Sequence, residues 1–202
     1  MTSPFENGTW NFIQGKDLNE FLEKVSPIDG QYATNPSTTK VAWQPQSFYK
    51  KVALIKVEDQ SWGPNFGPLF FLGYGGNFYR LNGMSTPIHE VNHTAKIYIT
   101  EENVLEYLRF FCFFVHGDKG PFLIAEDPST LKLPESIRPE VKELINDSVT
   151  EATFNGMTAD GKFDCSGMVY YGTSLFSAQF HVYPNGLIEM VDDEPIVQDT
   201  TG

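Results

Sequence analysis

The chain predicts an α+β fold, a curved antiparallel sheet built from two hairpin or meander regions and packed around a buried central helix. Three observations predict it. Within Thr100–Asp127 (TEENVLEYLRFFCFFVHGDKGPFLIAED) lies a helical pattern whose second half is apolar on every side, so it must be covered on two sides. Short strand-like runs separated by turn residues occur both before and after it. The strand–helix–strand alternation that announces a parallel sheet is missing.

Residues 1–9 are polar and read as a loose arm, after which Trp10, Phe12 and Ile13 read as an edge strand or docked arm. Asp17 then caps a short helix, Leu18 to Val25, with Leu18, Phe21, Leu22 and Val25 on one face and Pro27 and Gly30 as its end. Residues 26–46 are rich in Ser, Thr, Asn, Gln and Pro and read as a long surface loop anchored by Trp43. Phe48 to Glu58 follows as a strand. After a Trp62-Gly63-Pro64 loop, Leu69 to Tyr74 and Phe78 to Leu81 form a hairpin through Gly75-Gly76-Asn77, where Gly and Asn supply positive φ.

Asn82 to Asn92 reads as irregular, with one or two helical turns begun at Thr86 and Pro87, and Ala95 to Thr100 as a strand. The central helix starts at an N-cap Thr100, followed by Glu101 and Glu102, and stops at Gly117, where a left-handed residue is wanted. Pro121 to Ala125 is a short buried strand. A second helix lies within Pro134 to Val149, with Val141, Leu144 and Ile145 inward. Thr150–Met157, Phe163–Tyr171, Leu175–Tyr183 and Leu187–Val191 then form a meander, and residues 192–202 an acidic tail.

At 202 residues, with 41% hydrophobic side chains and no linker between self-sufficient halves, one domain is expected. The net charge of −12 resides in the second half: residues 1–100 hold 8 acidic and 8 basic side chains, residues 101–202 hold 18 and 6. Such a field repels phosphate backbones and argues against nucleic acid and anionic membrane as partners. No apolar run approaches the roughly 18 residues of a membrane span. Two cysteines, Cys112 and Cys165, make no disulfide framework, and the start MTSPFENGTW lacks a secretory pattern, so a cytoplasmic location is expected.

One literal motif carries chemistry. His89-Glu90-Val91-Asn92-His93 resembles, over these five residues, the H-E-x-x-H helix of zinc peptidases. That resemblance implies His89 and His93 as zinc ligands and Glu90 as the base acting on the metal's water. The match departs from the pattern in having Pro87 two residues upstream, a strand-like sequence just after it and no defined third ligand. Glu106 is the candidate there. Gly73-Tyr74-Gly75-Gly76 is not a phosphate loop, because the final glycine is absent and a strand follows. Cys112 and His116 stand four apart on the helix but read as core, and Asp164 beside Cys165 disfavours a thiolate.

Aromatic side chains crowd the first hairpin and the last meander. Trp62, Tyr74, Tyr79, Tyr171 and Tyr183 are therefore candidates for a ligand or partner surface on a curved sheet. The leading expectation is a soluble protein that binds a protein partner or small ligand rather than an enzyme. A zinc-dependent hydrolase working through His89, Glu90 and His93 is the second, with zinc as its only implied cofactor. The third is a structural subunit of an oligomer.

Overall fold

The structure, a computed structural model, describes residues 5, 8–26, 32–63 and 66–198. The fold is α+β. A first antiparallel sheet takes β1 (Asn11–Ile13), β2 (Thr39–Pro45), β3 (Ala53–Asp59), β4 (Leu69–Tyr74) and β5 (Asn77–Leu81) in sequence order. Helix α1 (Gly15–Val25) leads from β1 to β2, and helices α2 (Thr86–Ala95) and α3 (Val104–Phe114) follow β5. A small hairpin, β6 (His116–Gly117) with β7 (Gly120–Pro121), and the short β8 (Leu123–Ile124) come next. Helix α4 (Pro139–Ser148) precedes β9 (Thr153–Met157), β10 (Phe163–Tyr171), β11 (Ser174–Val182) and β12 (Ile188–Val197). In this second antiparallel sheet the order is β12-β11-β10-β8, with β9 also pairing β10.

Each half of the chain thus contains a strand, a helix and a four-stranded meander. Strand periodicity explains how the layers stack, since alternate residues face opposite sides. In the first sheet Leu54, Phe70, Leu72 and Leu81 face α2 and α3, while Val41, Ile55, Val57 and Phe71 face Leu18, Phe21, Leu22 and Val25 of α1. In the second sheet Cys165, Val169, Ala178 and Phe180 face the central helices, and Met168, Tyr170 and Leu175 face Ile145 of α4. The central helices are therefore sandwiched between sheets. Tyr107, Leu108 and Phe110 of α3 are wholly buried, as the apolar pattern requires. Burying one such large side chain is worth about 1.5–3 kcal/mol, which makes this layer the main source of cohesion.

Several local expectations fail for identifiable reasons. Residues 39–45 of the supposed surface loop are β2, an inner strand with Val41 and Ala42 buried, while Trp43 is 37% exposed and anchors little. Its polar flanks hid a strand that pairs on both sides. Ala95–Thr100 is no strand: α2 runs to Ala95, and Lys96 ends it with φ 55. α1 begins at Gly15 after Gln14, so Asp17 lies in its first turn rather than at its cap. α3 begins after Asn103, whose Oδ1 accepts from the Thr100 N–H at 2.8 Å, so Thr100 opens a turn before the helix. It ends at Phe114. Gly117 lies beyond it and has no positive φ; a side chain there would meet the Tyr171 hydroxyl at 2.4 Å, so the need is for space.

Leu144 on α4 is 45% exposed, leaving Ile145 as that helix's buried residue. Residues 192–197 of the acidic tail are strand, because β12 continues to Val197. In the loose arm, Phe5 stacks on Phe114 at 5.6 Å and receives the Trp10 indole N–H on its carbonyl. Pro27, Gly30, Pro64 and the two chain ends at 1–4 and 199–202 lie outside the described residues.

Candidate functional site

The H-E-x-x-H segment is helical, and the helix decides which of its residues face inward. Ile88, Val91 and Asn92 are the buried residues of α2. His89 is half-buried with its ring 5.7 Å from Phe111, and desolvation there pushes its pKa below the usual imidazole value. Glu90 and His93 are exposed. Two imidazoles one turn apart are present, but among the described residues no group of three His, Cys, Asp or Glu side chains comes together to hold a metal. Glu106 instead accepts a short hydrogen bond from the Ser47 hydroxyl.

The residue of that segment with the most developed contacts is Asn92, a wild-card position of the motif. Its Oδ1 accepts a short hydrogen bond from the Tyr49 hydroxyl, and its amide donates to the Tyr107 hydroxyl at 2.9 Å. Tyr107 in turn donates to the Gly186 carbonyl at 2.6 Å. Tyr49, Asn92 and Tyr107 are all buried, and burial pushes both phenol pKa values above the ordinary range, so these hydroxyls stay protonated. The chain of bonds ties the segment before β3, both central helices and the β11–β12 turn into one unit. Gly186 has φ 84, and a Cβ there would meet the Asn92 amide nitrogen at 2.2 Å, so conformation and space both demand glycine.

The five aromatic candidates are dispersed. Trp62 belongs to the cluster around α1, with its indole N–H donating to the Ala33 carbonyl at 2.7 Å and its ring 4.9 Å from Tyr32. Tyr74, Tyr79 and Tyr171 pack against the central core, and Tyr171 stacks on Phe122 at 4.3 Å. Tyr183 donates to Glu189 at 2.6 Å, with the Lys162 ammonium 4.7 Å from its ring. Cys112 and Cys165 are buried free thiols, each pushed up to about 12 by burial, with Asp164 adding to the effect at Cys165. Neither is set up as a nucleophile. The half-buried charge on α3 is compensated: Arg109 makes a bidentate pair with Glu126 at 2.6 and 2.7 Å, and Glu126 also accepts from the Ala152 N–H at 3.0 Å.

Strand β12 lies at an edge of the second sheet, as β1 and β5 lie at the edges of the first. It pairs with β11 along one edge, and among the described residues no strand pairs with the other. Glu189 through Pro195 are all exposed, and Met190 and Val191 are 42% and 43% accessible. The Tyr183 N–H bonds to the Leu187 carbonyl at 2.8 Å, which sets the phase of the ladder. In that phase the backbone groups of Glu189 point toward β11, and those of Ile188 and Met190 point away. Register shifts beside Phe180 and Leu175 accommodate Val191 and Ile196 as extra residues in β12. Outward from the core face Glu189, Asp192 and Glu194, opposite His181, Gln179 and Ser177. No lysine or arginine occurs in β10, β11 or β12.

The sequence did carry a signal for this edge, a proline and consecutive carboxylates beside apolar residues, which are devices that guard exposed strands. It was obscured because Asp192-Asp193-Glu194-Pro195 reads as solvated tail. No protein-family model matches the chain, and no curated protein or solved structure matches it. Among the described residues no helix is long and apolar enough to cross a membrane.

Proposed function

We propose that the chain is a binding protein that engages a protein partner by adding the partner's strand to the free edge of β12. The observation that carries this reading is an edge strand of ten residues, seven of them exposed in succession, held in place by a turn that is hydrogen-bonded to the core through Gly186. Exposed edges present unpaired N–H and C=O groups, and strand addition satisfies them while alternate side chains supply specificity. The carboxylates, the proline and the register shifts oppose pairing with a second copy, so they keep the edge open for a different chain. Of the named aromatic residues, Tyr74, Tyr79 and Tyr171 pack on the central core and Trp62 on the α1 cluster, while Tyr183 lies beside the edge and donates to Glu189. Two unpaired thiols suit a reducing compartment such as the cytoplasm.

The test places a photo-crosslinking side chain at Val191 and, as a control, at Glu101, in cells that make the protein. A discrete adduct is expected from position 191 alone and is lost when Met190→Pro removes an outward N–H. Proline is tolerated at such a position because the β11 ladder does not use that donor. Adducts of equal yield at both positions, or none at 191, would count against edge recognition.

A further inference from the structure

We infer that the strand received by β12 is basic, an extended segment with Lys or Arg at alternate positions and an apolar residue between them. This rests on the edge-recognition reading above and names the chemistry of its partner. A strand paired to β12 would bring its side chains within about 4.5–5.5 Å (Cβ to Cβ) of those on the same face of β12. On the outward face those neighbours are Glu189, Asp192 and Glu194, all exposed. On the opposite face they are Ile188, Met190, Asp193 and Pro195, which follow from their pairing with Val182, Phe180, Ala178 and Phe176.

The partner is thus asked for cations on one face and for an apolar residue opposite Met190 on the other. Within the sheet the Tyr183 hydroxyl already donates to Glu189 at 2.6 Å, but no strand residue supplies a cation to Asp192 or Glu194. β10, β11 and β12 contain no lysine or arginine, and the nearby Lys162 is engaged with Asp160 at 3.0 Å and with the Tyr183 ring. A second copy of β12 would set carboxylates against carboxylates, which is destabilising for directly opposed like charges. Nucleic acid is repelled by the same charge. A basic strand alone satisfies the open backbone, the carboxylate rows and the exposed Met190 together.

The experiment uses the full chain and three octapeptides of alternating Val and Lys, Val and Thr, or Val and Glu, with N-methyl groups on one edge to prevent peptide self-association. Affinity is read by fluorescence anisotropy, and the bound position by amide hydrogen exchange. The Lys peptide is expected to bind about tenfold more tightly than the Thr peptide, since each exposed cross-strand ion pair contributes about 0.2–1 kcal/mol. That margin should shrink as salt rises from 0.05 to 0.5 M, values chosen to shorten the screening length from more than 10 Å to a few ångströms. Protection should appear at Ile188 and Met190.

Met190→Pro should weaken all binding, and the triple variant Asp192→Lys, Asp193→Lys, Glu194→Lys should transfer the preference to the Glu peptide. Equal affinity for the Lys and Thr peptides, with β12 protected by both, would overturn the charge inference and leave edge recognition standing. If no peptide protects β12, both are overturned.

Discussion

Asn92→Ala should destabilise the protein far more than substitution of either histidine beside it. In the native chain Asn92 is 4% exposed and bridges Tyr49 and Tyr107. Truncation leaves the Tyr49 hydroxyl without this acceptor, whereas Tyr107 keeps its bond to Gly186. An unsatisfied buried polar group costs about 1–3 kcal/mol, and loss of the second hydrogen bond about 1 kcal/mol more. Together these terms give about 2–4 kcal/mol, before any contribution from the void left by the carboxamide. For a chain of this size each kcal/mol lowers Tm by about 2–4 °C, so a fall of about 4–16 °C is expected. His93→Ala, at an exposed position, should stay within about 0.5 kcal/mol of the parent.

The assay is urea unfolding followed by far-UV circular dichroism, with Tyr107→Phe and the double variant completing a cycle. A coupling energy of about 1 kcal/mol or more between positions 92 and 107 is expected. A loss below about 1 kcal/mol for Asn92→Ala, or equal losses for Asn92→Ala and His93→Ala, would refute the view that this segment is organised around its asparagine.

Gly186→Ala should be at least as damaging as Asn92→Ala, because the added methyl enters the same network at a positive φ; thermal unfolding measures it. Asp59 is buried, and although burial opposes its ionisation, hydrogen bonds from Ser61, Thr39 and Thr38 hold its carboxyl well below the usual range. With the folded pKa depressed, its contribution is complete above about pH 4 and is lost as pH falls through the folded value. Asp59→Asn should accordingly be about 2 kcal/mol less stable at pH 7, on the scale of charged hydrogen bonds, with a shallower loss of stability in acid. The thiols of Cys112 and Cys165, pushed up to about 12, should resist a thiol reagent at pH 8 in the native protein and react fully in denaturant. Rapid native labelling of either would contradict their burial.

Where a pattern was strong and local, the sequence was sufficient to read the structure. Leu18, Phe21, Leu22 and Val25 recur with helical spacing and line one buried face of α1. Gly75 and Gly76 both have positive φ and join β4 to β5, because the turn chemistry lies within four residues. The apolar run of α3 required cover on two sides, and the two sheets provide it. What failed depended on partners distant in the chain. β2 is short of apolar residues but gains two neighbours, whose ladders and contacts outweigh its composition. β12 looks like solvated tail until β11 supplies the hydrogen bonds that hold Asp192 to Pro195 extended.

The candidate site divides in the same way. His89, Glu90 and His93 were visible as a string of residue types, and even their helical spacing is real. Only packing reveals that α2 turns Asn92 inward toward Tyr49 and Tyr107, residues 43 and 15 positions away. The sequence by itself determined the α+β class, the antiparallel meanders, the central helix and the acidic second half, all of which follow from short-range periodicity and composition. Tertiary structure decided which residue of the H-E-x-x-H segment is buried, where each aromatic packs and which strands lie at the sheet edges, because those outcomes depend on the register between segments far apart in the chain.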